Sequence, residues 1–192
     1  MSFGRDGEAP LALELPDGRT LTFRGIADRV DRTDGDRLLV LDYKTGKDKF
    51  TRELAADPVQ EGRSLQLGVY AEAARAALGG AGVEARYWLT SAAGEFKQPG
   101  YLWDDERRAR FLDVVGGIVD GIEAGAFPGL SGEYESFWGS HQQCRYCDFD
   151  RVCPRNRHDH QRAKAEAPEL AVLTKLLLPE QRAAVDGAEV AS

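Results

Sequence analysis

The sequence predicts an α/β domain with a mixed central sheet flanked by helices, followed by a cysteine-rich segment. Three observations predict it. Short alternating apolar runs fill the chain as far as Thr45, a helical pattern joins a third strand to a fourth, and a long amphipathic helix follows. A helix is a usual crossover between parallel strands, so the third and fourth strands are expected to run parallel beside antiparallel neighbours.

Leu11–Leu15 and Leu21–Asp28 flank Pro16-Asp17-Gly18-Arg19, a turn-forming tetrad, and read as a hairpin. Asp34-Gly35-Asp36 marks the next turn and leads into Leu38–Tyr43, so the three strands are expected to form an antiparallel meander. Gly46–Arg63 is polar, contains Pro58 and Gly62, and reads as a mobile loop. Ser64 is placed to cap a helix through Leu78, with Leu65, Val69, Ala73 and Ala76 as its apolar stripe; Gly79-Gly80-Ala81-Gly82 ends it. Val83–Thr90, with Tyr87, Trp88 and Leu89, is the fourth strand. Asp104–Ala124 is a second helix that buries Phe111, Leu112, Val115, Ile118, Val119 and Ile122, with Asp104 or Asp105 near its start. Pro168–Leu178 suggests a short leucine-lined helix, and the last dozen residues are expected to fray. The organisation expected is a core over 1–140, a cysteine-rich segment over 141–165 and a tail over 166–192.

Composition narrows the function. The 192 residues carry a net charge of −7, which argues against grip on nucleic acid through a general basic surface. Acidic metal ligands lower net charge at a nuclease site, so that class stays open. From His141 to Lys164 five Arg and one Lys stand against three Asp, and phosphate contacts are expected there if anywhere. No apolar run has the length of a membrane span, and the N-terminus has no signal-peptide pattern, so a cytoplasmic location is expected with no membrane partner.

Asp42-Tyr43-Lys44-Thr45-Gly46 closes the third strand. Alternation puts Asp42 and Lys44 on one face and Tyr43 on the other. With Asp28 reaching the same place, two carboxylates and the Tyr43 carbonyl form an oxygen donor set for magnesium or manganese beside an ammonium group. Lys44 is then placed to steady an attacking water or to stabilise charge on a transferring phosphoryl group. Gln66 and Tyr70, four residues apart, share a helix face. Taken alone, Asp-x-Lys also fits the plain end of a surface strand.

Taken together, Gly25-Ile26-Ala27-Asp28-Arg29-Val30-Asp31, Leu41-Asp42-Tyr43-Lys44-Thr45-Gly46 and Gln66-Leu67-Gly68-Val69-Tyr70 resemble, in order and spacing, the RecB and AddB nuclease domains of the PD-(D/E)xK superfamily. The resemblance runs from Leu11 to Pro154 and implies a restriction-endonuclease-like fold. It also implies metal ligation by Asp28 and Asp42, a catalytic Lys44, and support from Gln66 and Tyr70. Asp31 competes with Asp28 for the first role; the family's spacing after the glycine favours Asp28. The implied activity is metal-dependent hydrolysis of DNA by the exonuclease domain of a helicase–nuclease in double-strand break repair and recombination, with a helicase domain or subunit as partner. Such relatives carry a helix before the first strand that gives the metal a His or Glu, whereas ten residues precede Leu11 here, so a domain cut short is expected. Two rivals are a non-catalytic DNA-end-binding or scaffold module of the same fold and a CRISPR-adaptation nuclease.

Cys144, Cys147 and Cys153 are the only cysteines. Clustered thiols point to metal ligation over disulfides. With Pro154 after them they resemble the C-terminal trio of AddB-type nucleases, which implies a 4Fe-4S cluster whose fourth ligand is not in this chain. A zinc site completed by His141 or His158 is the alternative. Phe137-Trp138 is the fairest candidate for stacking on bases.

Overall fold

A computed structural model describes residues 1–127, 129, 131, 134–149, 152–164 and 167–176. In chain order the strands are β1 (Ser2–Phe3), β2 (Leu11–Glu14), β3 (Thr20–Phe23), β4 (Gly25–Ile26), β5 (Arg29–Arg32) and β6 (Arg37–Lys44). Helix α1 (Phe50–Ala56), a 3-10 turn at Gln60–Gly62 and α2 (Gln66–Leu78) lead to β7 (Gly82–Leu89) and β8 (Gly100–Leu102). Then come α3 (Asp105–Glu123), β9 (Tyr134–Glu135), β10 (Ser140–His141), α4 (Arg157–Lys164) and a 3-10 segment at Pro168–Leu176.

The central sheet has the order β5-β6-β7-β8 and is mixed. β6 runs parallel to β7, with Asp42 opposite Tyr87, and both edge strands run antiparallel to their neighbours. The expected parallel pair across a helical crossover is therefore present, and the α/β class with it. Two compact units divide the chain: Met1–Gly116 with 176–192, and Gly117–Lys175.

The meander is corrected. β2 and β3 form the hairpin, but as a separate two-stranded sheet, and the expected second strand breaks at Arg24. Gly25–Ile26 pairs instead with Ser2–Phe3, and the Phe3 ring lies where a Gly25 side chain would stand, its Cζ 2.7 Å from an added Cβ. Asp28 falls in the bend before β5, the strand that pairs with β6.

The expected loop over Gly46–Arg63 holds α1. Its signal is Asp48, whose carboxylate accepts the Phe50 and Thr51 amides and the Thr51 hydroxyl, while Leu54 is buried. Ser64 is not the cap of α2; its hydroxyl bonds the Tyr87 hydroxyl at 3.0 Å. The buried face of α2 is Leu67, Gly68, Ala71, Glu72, Ala73 and Ala74, so Ala73 alone of the expected stripe is fully buried. Small residues win that face because α3 lies close: an added Cβ on Gly68 would stand 2.7 Å from Phe111 Cδ2 and 3.0 Å from Trp103 Cη2. In α3, Phe111, Leu112 and Val115 are buried as expected, Asp104 accepts the Arg107 amide at its start, and Ile122 is exposed.

Two buried carboxylates tie the first unit together. Glu72 accepts from Trp103 Nε1 at 2.6 Å and from Arg108 Nε at 3.1 Å. Asp57 accepts from the Val59 and Glu61 amides and from Arg110 Nη2 at 2.9 Å, and Arg110 also donates to the Leu176 carbonyl. Burial pushes the Asp57 carboxyl up, but Arg110 and the two amides outweigh it and hold it below the usual aspartate range.

In the second unit β9 and β10 form a hairpin, and Arg145 lies 4.1 Å over the Trp138 ring. Phe137, Tyr146 and Phe149 are exposed. The expected tail helix appears as the 3-10 segment up to Leu176; its last two residues and the expected frayed end lie outside the described residues.

Gly68→Ala is expected to cost about 1–3 kcal/mol by overpacking against Phe111, read from denaturant unfolding. Asp57→Asn is expected to cost about 3 kcal/mol at neutral pH by leaving Arg110 without its buried partner. Because the folded Asp57 value is depressed, its contribution is present above the ordinary value of about 3.9 and lost as pH falls through the folded one. An unfolding series below about pH 4 is therefore expected to be flatter in Asp57→Asn than in the wild type.

Candidate active site

Leu38, Val40 and Asp42 alternate along one face of β6, and all three are buried. The row ends in a carboxylate because the strand ends there. Asp42 is 4% exposed, while Lys44, two residues on, is 30% exposed in its side chain and reaches solvent. Tyr43 points to the other face, where its ring stands 5.6 Å from that of Trp88.

Gln66, at the start of α2, joins the two charged groups. Its Oε1 accepts from Lys44 Nζ at 3.0 Å, and its Nε2 donates to Asp42 Oδ1 at 2.8 Å and to the Tyr70 hydroxyl at 3.0 Å. Lys44 Nζ also lies 2.5 Å from Asp42 Oδ2, so that this buried oxygen is held against the ammonium group. Burial pushes the Asp42 carboxyl above the usual aspartate range, Lys44 opposes that, and the Asp28 charge adds to it.

Asp28 approaches from the edge of β6. The Lys44 carbonyl accepts the Thr90 amide on the β7 side, so alternation turns the Tyr43 amide and carbonyl to the opposite edge. There the Tyr43 amide donates to Asp28 Oδ2 at 2.9 Å. Asp31 lies on β5 and pairs with Arg29 at 2.8 Å. Of the two candidate acids, Asp28 is the one bonded to the strand that carries Asp42 and Lys44.

These oxygens suit a hard divalent cation. The Asp42 carboxylate, the exposed Asp28 carboxylate and the Tyr43 carbonyl on the Asp28 edge are donors of the right class, and such a cation keeps several waters. No group of three or more His, Cys, Asp or Glu side chains is placed to hold a metal among the described residues. The same holds for the cysteines. Cys144, Cys147 and Cys153 are free thiols that do not gather with a fourth ligand among the described residues, and the His158 side chain lies outside them.

Sequence reasoning missed the wall beside Lys44. Tyr87 is 2% exposed, its ring stacks on Phe50 at 4.4 Å, and Lys44 Nζ lies 5.1 Å over it. Its place opposite Asp42 on β7 follows from the parallel register, which no local pattern specifies. Among the described residues no helix is long and apolar enough to cross a membrane.

No curated protein gives a significant match to the sequence. The family model of the PD-(D/E)XK nuclease superfamily matches residues 2–154, which include every residue of this network, and the chain belongs to that superfamily.

Proposed function

We propose that this chain is a metal-dependent deoxyribonuclease whose site is Asp28, Asp42, Lys44, Gln66 and Tyr70. The observation that carries the reading is the pair of hydrogen bonds made by Gln66, accepted from Lys44 and donated to Asp42, which hold an ammonium group and a carboxylate at fixed spacing on one strand face. A structural ion pair needs no such frame.

Asp28, Asp42 and the Tyr43 carbonyl would hold magnesium or manganese, which polarises a phosphoryl oxygen and makes water a better nucleophile. Lys44 does the rest from the protein side. Its ammonium group, solvent-facing and fixed by Gln66, stabilises negative charge that grows on the phosphoryl oxygens as the P–O bond breaks. Tyr70 fixes the Gln66 amide, and Tyr87, stacked on Phe50, packs against the Lys44 ammonium group.

The order of motifs supports the RecB/AddB type, and with it an exonuclease domain that works with a helicase in double-strand break repair. A 4Fe-4S cluster on Cys144, Cys147 and Cys153 belongs to that same reading and rests on their spacing. A non-catalytic end-binding module is the weaker reading, because a fold that had lost its chemistry has no need to bury Asp42.

Cleavage of end-labelled linear and circular DNA with magnesium or manganese tests the proposal and separates exonuclease from endonuclease action. Asp42→Asn and Lys44→Ala are each expected to lower the rate by at least about a hundredfold; a rate near that of the wild type in either one overturns the site. Stability is expected to move in opposite directions. With its carboxyl value raised, folded Asp42 holds a proton more tightly than the unfolded chain does, so its ionised form costs stability as pH rises through the folded value. Asp42→Asn is therefore expected to raise the melting temperature in chelator at neutral pH. Lys44→Ala leaves the buried carboxylate without its cation, and is expected to lower it.

A further inference from the structure

Beside the Asp42–Lys44–Gln66 network lies an open cleft of about 410 Å³, whose walls include Lys44, Lys49, Glu53, Gln60, Arg63 and Tyr87. Three cations face one carboxylate. Lys49 has no carboxylate partner among the described residues, and its Nζ lies 5.5 Å over the Phe50 ring. Arg63 is 72% exposed in its side chain; its Nε donates to the Gln60 carbonyl at 3.1 Å, and its nearest carboxylate, Glu61, is 3.9 Å away. Its guanidinium is thus tethered at one edge and open at the other.

The turn that precedes Arg63 adds a second and independent mark. Gln60 and Glu61 both take left-handed backbone, at φ 48° and 55°, which is costly for residues with side chains. The turn is held there from beneath by Asp57, through the Val59 and Glu61 amides. A buried ion pair therefore fixes the strained turn from which Arg63 reaches the wall of the same cleft.

We propose that this cleft seats the DNA strand next to the scissile phosphate. Lys49 and Arg63 grip one flanking phosphate. The inference rests on the nuclease reading above, since Lys44 lines both the site and the cleft. Arginine with an open edge suits a phosphate because its N–H groups match two phosphate oxygens at once. None of these groups reads a base edge uniquely, so the contact is independent of sequence.

The test uses the whole chain and a fluorescein-labelled DNA oligonucleotide, bound in calcium at a series of salt concentrations, with steady-state cleavage in magnesium or manganese alongside. Lys49→Ala and Arg63→Ala are each expected to weaken binding by roughly three- to tenfold across unrelated sequences. Each is also expected to reduce the slope of log K against log salt by roughly 0.7–0.9, and to raise KM by a larger factor than kcat falls. Arg63→Lys is expected to restore most of the slope. Arg37→Ala, at the far end of β6, is the charge control and is expected to leave the slope within half a unit of the wild type, roughly half of one phosphate contact. If slope and KM stay at wild-type values in both alanine variants while the wild type cuts DNA and Lys44→Ala does not, the cleft assignment is wrong and the nuclease reading stands. If the wild type neither binds nor cuts DNA, both are wrong.

Discussion

On the proposed reading Asp42 would have to be ionised to hold a metal, yet it stands at the end of a row of buried side chains on β6. A carboxylate so placed loses much of its hydration, and the loss is offset only if the fold supplies cationic and hydrogen-bonding partners at fixed positions. Lys44 supplies the first from the same strand face. Gln66 supplies the second from another element, so the start of α2 has to sit directly over the end of β6. Much of the architecture of the first unit follows from that requirement.

The position of α2 is set by what its other positions allow. Gly68, Ala71 and Ala74 carry little volume, so the helix lies close enough to the sheet and to α3 for Gln66 to reach the strand. Glu72 then meets Trp103 and Arg108, a polar lock that resists sliding of α2 along α3. A one-turn slip would carry Gln66 about 5.4 Å from Asp42 and leave the carboxylate desolvated and without its amide. Packing and chemistry thus favour the same register. The Asp57–Arg110 pair does for the Gln60–Gly62 turn what Glu72 does for α2.

What the sequence makes legible is what short-range periodicity controls. Strand alternation alone places Asp42 with Lys44 and turns Tyr43 to the other face, and helical spacing alone places Gln66 with Tyr70. The parallel β6–β7 pair was legible because a helix-length segment separates the two strands. Other features depend on residues far apart in the chain. The break in the second expected strand is imposed by Phe3 packing against Gly25, and β8 is only three residues long with Gly100 seated on the Ala85 carbonyl. The polar loop that proved to contain α1 hid its one local signal, Asp48 two residues before Phe50, among other charged residues. Ser64 looked like a cap because capping and bonding to a distant tyrosine draw on the same hydroxyl chemistry.

The two acids at the site are unequal, and the inequality has a physical use. Asp42 is buried, fixed on a strand and bonded to Gln66; Asp28 is exposed, in a bend, and bonded to a backbone amide. Were both buried, a hydrated cation would have to shed nearly all its water before either carboxylate could reach it, and magnesium sheds water reluctantly. Were both exposed, neither would hold a fixed distance to Lys44. On the proposed reading, one buried and one exposed carboxylate would give a cation a wet side to enter by and a rigid carboxylate to stop against. The Tyr43 amide, bonded to Asp28, keeps the exposed acid on the strand edge where the Tyr43 carbonyl also points. Placement of an ion held there would thereby be coupled to the backbone of the strand that carries Lys44.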